Sequence, residues 1–94
     1  MPAININFIG PWRALLGTRT VTAEVDNVDE AKIFVETKFG PVLEKNIKST
    51  GIGKKQSIWD NSNILLNGAN IRLMDKINLK DGDKIDLLPK VAGG

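Results

Sequence analysis

The C-terminus, Gly93-Gly94, is the segment whose residue types could do the most specific chemistry. Glycine lacks a Cβ, so a backbone that ends in glycines can approach another surface closely and enter a narrow channel. The terminal carboxylate is then a group that can travel from the globule into the active site of a partner. It becomes an acyl donor only after activation, for example as an acyl-adenylate. The simpler alternative is a frayed terminus without function.

A second segment, Gly51 to Lys55, superficially resembles a phosphate-binding loop. That loop requires Gly-x-x-x-x-Gly-Lys followed by Ser or Thr, between a strand and a helix. Lys48 stands where the first glycine belongs, and Lys55 stands where Ser or Thr belongs. The segment is therefore predicted to be an exposed loop. The ATP and metal ion needed to activate the C-terminus would have to be supplied by a separate enzyme.

Three aspartates near the C-terminus, Asp81, Asp83 and Asp86, raise the alternatives of a metal site or an acid/base pair. A calcium-binding loop needs more oxygen ligands at set spacing than this segment offers. Asp81-Gly82 is in addition a strong turn signal. We therefore predict a tight turn here, with no metal.

The composition argues against several classes of function. The 94 residues include 13 Lys and Arg against 11 Asp and Glu, a net charge of +2, and the basic residues are scattered. A nucleic-acid binder would gather its basic residues on one face. Trp12 and Trp59 are therefore predicted to be partly buried anchors or interface residues, and we do not expect them to stack on nucleic-acid bases.

The chain has no Cys and no His, which removes thiolate nucleophiles, disulfides, zinc–thiolate sites and the side chain that ordinarily titrates near neutral pH. A free-standing enzyme is disfavoured on this ground, although catalysis by aspartate or lysine stays open. No stretch resembles a signal peptide, and no run approaches the roughly 18 apolar residues of a membrane span. We expect a cytoplasmic protein that binds no membrane.

Hydrophobic periodicity and turn signals predict one main helix and several short strands. The predicted elements, in chain order, are a strand at Ile4–Phe8, a helical turn at Trp12–Leu16, a strand at Thr20–Val25, a helix from Val28 capped by Asn27, a further turn or two at Val42–Ile47, a loop at Lys48–Ser62, strands at Ile64–Leu66 and Ile71–Leu73, and a strand at Lys84–Leu88. Gly40-Pro41 is expected to end or break the helix.

These elements predict an α+β domain of two layers, because a single amphipathic helix needs one face of a sheet to cover. We expect residues 1–94 to form one domain, of which residues 89–94 are a flexible tail. Pro89 blocks continuation of the last strand, and the residues after it become small.

Several blocks resemble the molybdopterin synthase small subunits and the archaeal small modifier proteins, which are ubiquitin-like β-grasp sulfur carriers. The block Leu79-Lys80-Asp81-Gly82-Asp83-Lys84-Ile85, followed by Leu88-Pro89-Lys90-Val91-Ala92-Gly93-Gly94, is similar to their C-terminal end. Leu66-Asn67-Gly68, Phe8-Ile9-Gly10-Pro11-Trp12-Arg13 and Leu16-Gly17-Thr18 are similar to their other blocks, so the resemblance covers nearly the whole chain. The related thiamine-pathway carriers also end in Gly-Gly, but they are usually shorter, and the Pro-x-Val-Ala-Gly-Gly ending fits the molybdopterin branch better.

The resemblance implies a ubiquitin-like β-grasp fold, in which the first and last strands are adjacent and parallel in a mixed sheet. It also implies that an E1-like adenylating enzyme uses ATP and Mg to activate Gly94, while the chain itself binds no cofactor. As a sulfur carrier, Gly94 would become a thiocarboxylate and donate sulfur within the large subunit of molybdopterin synthase, for molybdenum cofactor biosynthesis. As a protein modifier, Gly94 would be joined to target lysines. A stand-alone interaction domain is the third alternative.

A partner is expected to contact both the tail and exposed apolar residues beside the last strand. The residues predicted to bind it are Phe8, Leu66, Leu88, Pro89, Val91 and Ala92, next to the reactive Gly93 and Gly94.

Overall fold

A computed structural model describes residues 1–49, 57–74 and 76–90. Its elements are β1 (Ala3–Phe8), α1 (Pro11–Leu16), β2 (Thr20–Glu24), α2 (Val28–Ser49), β3 (Ser62–Leu66), β4 (Ala69–Asn70), a 3-10 helix (Ile71–Leu73) and β5 (Lys84–Pro89). The Gly51–Lys55 segment, predicted to be an exposed loop, lies outside the described residues.

The strands form one mixed sheet of five strands in the order β2-β1-β5-β3-β4. β1 and β5 run parallel, and every other neighbouring pair is antiparallel. The predicted adjacency of the first and last strands is confirmed, as is the β-grasp arrangement of a mixed sheet with one main helix. The strand that comes last in the chain is therefore the central strand of the sheet.

One face of the sheet forms the core together with α2. Alternate residues of each strand are buried, as in β1, where Ile4, Ile6 and Phe8 are fully buried, because successive side chains of a strand point to opposite faces. The ring of Phe8 meets the ring of Phe39 of α2 edge-on, with 4.9 Å between the centroids. Trp59 is also part of the buried core.

The prediction that Gly40-Pro41 ends or breaks the main helix is wrong, since α2 continues through Pro41 to Ser49. Leu43 lies one turn beyond Phe39 on the same face and is 1% exposed, so continuing the helix extends its buried row. Gly40 has no Cβ, which removes one of the clashes that normally keeps the residue before a proline out of the helical conformation.

The N-terminus of α2 is capped as the sequence predicts. Asn27 Oδ1 accepts a hydrogen bond from Glu30 N (2.8 Å), and Glu30 Oε1 accepts one from Asp26 N (2.8 Å). The first bond satisfies a backbone donor that the first helical turn leaves free, and the second holds the residue before the cap against the same turn.

The turn between β3 and β4 is the tight turn that an Asn-Gly pair favours, because Asn67 and Gly68 both have positive φ angles, 51° and 90°, as a type I′ turn requires. The strand predicted at Ile71–Leu73 is wrong. β4 covers only Ala69–Asn70, and the next three residues form the 3-10 helix. Asn70 Oδ1 accepts a hydrogen bond from Arg72 N (2.9 Å), which favours a helical turn over further pairing.

The aspartates before β5 form the predicted turn and attach it to the start of β1. Asp81 Oδ1 accepts a hydrogen bond from Ala3 N (2.7 Å), and Gly82 N donates one to Ala3 O (2.9 Å). Asp83 O accepts a further bond from Asn5 N (2.8 Å). The turn therefore fixes the register of the parallel β1–β5 pair.

The carboxylate of Asp83 is held by two hydrogen-bond donors. Asn67 Nδ2 donates to Oδ1 (3.0 Å), and Lys80 N donates to Oδ2 (2.8 Å). The bond from Asn67 and then the bond from Lys80 lower the pKa of Asp83 below its ordinary value of 3.8, because both stabilise the ionised form.

We predict that Asn67→Gly raises the pKa of Asp83 toward its ordinary value, because glycine keeps the positive φ angle but loses the donor. Since the pKa of Asp83 is lower in the folded state, its contribution to the free energy of unfolding is present above the unfolded-state pKa and is lost as pH falls through the folded-state pKa. The acid-induced loss of stability should therefore be smaller in the variant. An NMR titration of the Asp83 carboxyl carbon, with urea unfolding at acidic pH, measures both effects. An unchanged pKa of Asp83 in Asn67→Gly would contradict the assignment, and Asn78→Gly, at an exposed asparagine outside this network, is the matched control.

Candidate functional site at the end of β5

The predicted reactive group lies beyond the described residues, which end at Lys90. Val91, Ala92, Gly93 and Gly94, all assigned to the tail in the sequence, are outside them. The structure instead shows where β5 ends and how its last residues are held, directly before this tail.

Hydrogen bonds hold the end of β5 on both sides. On the β1 side, Ile9 N donates to Leu87 O (3.1 Å), and on the β3 side, Lys90 N donates to Asn61 O (2.9 Å). Pro89 lies two residues after Leu87, so its backbone nitrogen faces β1 but carries no hydrogen. Pro89 therefore ends pairing with β1, while pairing toward β3 continues to Lys90. The prediction that the flexible tail begins at residue 89 is wrong, because Pro89 belongs to β5 and Lys90 is bonded to Asn61.

A buried pair of hydrogen bonds lies directly beside this exit. Trp12 Nε1 donates to Ser62 Oγ (2.8 Å), and Ser62 Oγ donates to Ile58 O (2.6 Å). Ser62 is the strand partner of Pro89, and among the described residues it is the one buried polar side chain. One hydroxyl thus joins α1, β3 and the turn at 57–61 next to the point where the tail begins.

The prediction that Phe8 and Leu66 are exposed partner-binding residues is wrong, because both are buried in the core. Each lies two positions after a core residue of its strand and so points to the same face of the sheet: Phe8 comes two residues after Ile6, and Leu66 two residues after Ile64. The predicted residues Leu88 and Pro89 are half-buried and border the exit.

Two apolar residues on the outer face of the sheet, Ile9 and Leu65, lie one position away from the predicted Phe8 and Leu66. Ile9, Leu65 and Leu88 are half-buried, and strand alternation places them on the face opposite to α2. Leu88 pairs with Asn63 and Leu65 with Asp86, which makes the two leucines diagonal neighbours. We call these three residues the outer apolar patch. The alternation of apolar residues along each strand is the signal that could have identified Ile9 and Leu65 in the sequence.

The outer face beyond this patch is polar and hydrogen-bonded to itself. Thr20 Oγ1 donates to Asn7 Oδ1 (2.8 Å), and Asn7 Nδ2 donates to Asp86 Oδ1 (2.7 Å). Thr22 Oγ1 donates to Asn5 Oδ1 (3.2 Å) in the same way. The apolar surface of this face is therefore concentrated beside the tail.

The described residues contain no group of three or more His, Cys, Asp or Glu side chains that could hold a metal ion. Asp81 and Asp83 accept hydrogen bonds from the backbone amides of Ala3 and Lys80, and Asp86 accepts one from the side chain of Asn7. Trp12 and Trp59 are buried, 6% and 8% exposed, which agrees with their predicted role as anchors.

Among the described residues, no helix is both long and apolar enough to cross a membrane.

Comparison with known families gives one match that spans most of the chain. The model of the ThiS family matches residues 6–94, from β1 through the two terminal glycines. No curated protein matches the chain significantly in sequence.

Solved structures with this fold include several small modifier proteins. The solution structure of small archaeal modifier protein 1 (SAMP1) from Methanosarcina acetivorans is 28% identical, with a TM-score of 0.71 over 100% of this chain and 98% of that chain. SAMP1 from Haloferax volcanii is 25% identical, with a TM-score of 0.65 over 98% of this chain and 99% of that chain. A complex of subunits 1 and 2 of the molybdopterin-converting factor from Helicobacter pylori contains a chain that is 24% identical, with a TM-score of 0.62 over 98% and 99% of the two chains. This last likeness concerns the fold alone.

We predict that Ser62→Ala lowers the free energy of unfolding by about 1–3 kcal/mol, because it leaves the buried Trp12 Nε1–H without its acceptor. The same substitution should cost about 1 kcal/mol less in a Trp12→Phe background, where that donor is already absent. Urea unfolding of the two single variants and the double variant measures this coupling. Thr22→Val, which removes an exposed hydroxyl from a strand, is the control and should change stability little. Strictly additive effects of the two substitutions would contradict the coupling.

Proposed function

The chain belongs to the ThiS family of ubiquitin-fold sulfur carriers and modifiers, and we propose that it is a sulfur carrier acting as the small subunit of molybdopterin synthase. The observation that carries this proposal is the fixed exit of the chain. Lys90 is still bound to Asn61, and the outer apolar patch lies beside it. A partner can thus contact a rigid surface while it takes up the residues that follow.

In the proposed reaction, the C-terminus is the substrate and the chain is not the catalyst. An E1-like adenylating enzyme supplies ATP and Mg, and the carboxylate of Gly94 attacks the α-phosphate of ATP, which releases pyrophosphate. A sulfur donor then displaces AMP and leaves a thiocarboxylate on Gly94. Inside the large subunit of molybdopterin synthase, this sulfur is transferred to the cofactor precursor, and hydrolysis restores the carboxylate.

The residues before Gly94 suit this role. Gly93 has no side chain, and Val91 and Ala92 are small, so this end of the chain fits a narrow channel. The chain itself holds neither ATP nor a metal in this scheme. The complex of subunits 1 and 2 of the Helicobacter pylori factor supports a large subunit as partner.

A protein modifier is the second candidate, and one observation favours it. The SAMP1 structure from Methanosarcina acetivorans is 28% identical, whereas the Helicobacter pylori chain is 24% identical. In this scheme a lysine Nζ attacks the acyl-adenylate of Gly94, which forms an isopeptide bond and releases AMP. Both candidates share the activation step, and they differ in the acceptor.

We predict that incubation with the cognate E1-like enzyme, Mg-ATP and a sulfur donor replaces one oxygen of the chain by sulfur. Intact mass spectrometry detects this change, and deletion of Gly94 should abolish it. Addition of AMP without sulfur would favour the modifier. No modification by a demonstrably active enzyme would contradict both candidates and favour a stand-alone interaction domain.

We also predict that Leu88→Glu weakens binding to the synthase large subunit by about 10- to 100-fold, because it places a charge in the outer apolar patch. Isothermal titration calorimetry measures the affinity, and urea unfolding confirms that the variant is folded. Ile33→Glu is the matched control, since Ile33 is 63% exposed on α2, which covers the opposite face of the sheet. Equal affinities of the wild type and a folded Leu88→Glu variant would contradict a partner contact at the patch.

A further inference from the structure

The turn at 57–61, which joins α2 to β3, is attached to α2 by the side chain of Glu36. Glu36 Oε1 accepts hydrogen bonds from Ser57 Oγ (2.8 Å) and from Trp59 N (2.6 Å). Glu36 is half-buried, and a carboxylate is a stronger acceptor than a neutral group. These two bonds set the position of the turn relative to the helix.

The same two elements are also joined by an ion pair, which contributes less. Lys32 Nζ lies 3.3 Å from Asp60 Oδ1, but the two side chains are 43% and 65% exposed. Exposed ion pairs of this kind are screened by water and usually add little stability. Glu36 is therefore the stronger attachment.

Further hydrogen bonds lead from the turn to the start of the tail. Ser57 O accepts bonds from Asn61 N (3.3 Å) and from Asn61 Nδ2 (2.7 Å). Asn61 O in turn accepts the bond from Lys90 N (2.9 Å). A continuous series of contacts thus connects Glu36 of α2 to Lys90 through Ser57 and Asn61.

We propose that Glu36 is a positioning residue for the C-terminal tail. By holding the turn at 57–61, it keeps the Asn61 carbonyl in place for the Lys90 amide, so the segment taken up by a partner begins at residue 91. This role rests on the proposed function, because it concerns delivery of Gly94 to an activating enzyme. Glu36 touches no reacting atom and acts only through the turn.

Lys90, which the sheet still holds, limits both the reach of the residues after it and the entropy lost when a partner orders them. The residues 91–94 are four in number, so the terminal carboxylate can extend at most about 14 Å beyond Lys90. If Lys90 is released from the sheet, a partner must order one more residue. That ordering weakens binding by roughly 5- to 30-fold.

The first test measures hydrogen exchange of the Lys90 amide by NMR, on the full chain. Glu36→Ala should accelerate this exchange by about 10- to 100-fold, because Ser57 and Trp59 lose their acceptor. Glu36→Gln keeps an acceptor oxygen and should retain slow exchange. The amide of Ile9, which pairs on the other side of β5, reports whether the effect is local. Glu44→Ala, on the same helix but outside these contacts, is the matched control.

The second test is the kinetics of adenylation by the cognate E1-like enzyme with Mg-ATP. Glu36→Ala should raise the KM for the carrier chain by roughly 5- to 30-fold and leave kcat unchanged, because the tail has the same chemistry once it is seated. Glu36→Gln should restore the KM. If Glu36 contributed only to stability, its substitution would not raise KM selectively while kcat stays unchanged.

The two tests separate this inference from the proposed function. Fast Lys90 exchange together with a raised KM supports it. Wild-type exchange in a folded Glu36→Ala variant, or fast exchange with an unchanged KM, overturns it. If Glu36→Ala unfolds, Ser57→Ala weakens the same link without removing a charge and is judged by the same criteria. If the wild-type chain is not activated, the proposed function fails, and the exchange data alone decide whether Glu36 holds Lys90 in the sheet.

Discussion

The arrangement of the candidate site depends on the two hydrogen bonds of the Ser62 hydroxyl. This hydroxyl accepts a hydrogen bond from Trp12 and donates one to Ile58, so a single buried group determines where α1, β3 and the turn before β3 meet. A buried polar group left without a partner costs about 1–3 kcal/mol, which favours the one arrangement that satisfies all three elements. Because Pro89 lies across from Ser62, this local requirement also fixes the exit of the tail.

Each side of β5 contributes differently to the site. Pairing with β1 ends at Pro89, which has no backbone hydrogen to donate, while pairing with β3 extends to Lys90. The aspartate turn fixes the other end of β5 through Asp81 and Asp83. Held at both ends, the strand keeps the outer side chain of Leu88 in a fixed place beside Lys90.

Much of the fold follows from local rules that can be applied to the sequence. Strand alternation, the Asn67-Gly68 turn and the Asn27 cap were predictable because each depends on a few neighbouring residues. The helix through Pro41 was not, because its continuation depends on burial of Leu43 against the sheet.

The same distinction applies to the candidate site. The terminal Gly93-Gly94 was visible in the sequence, and the family match extends through it, but the surface beside the end of β5 was misassigned by one residue in each of two strands, since Phe8 and Leu66 point into the core. A one-residue error moves a side chain to the opposite face, so composition alone cannot identify such a surface. The contacts of Glu36 and Ser62 join residues far apart in the chain and leave no local signal.

The central position of β5 has a consequence for synthesis of the chain on the ribosome. β5 is translated after every other strand, yet it separates β1 from β3, and its partners in β1 precede it by 79 residues, as Ile6 and Ile85 illustrate. A nascent chain that lacks β5 has two unpaired strand edges in place of a sheet, and such edges promote aggregation. The five-stranded sheet therefore closes only once β5 has been made, so a product terminated before β5 cannot form it.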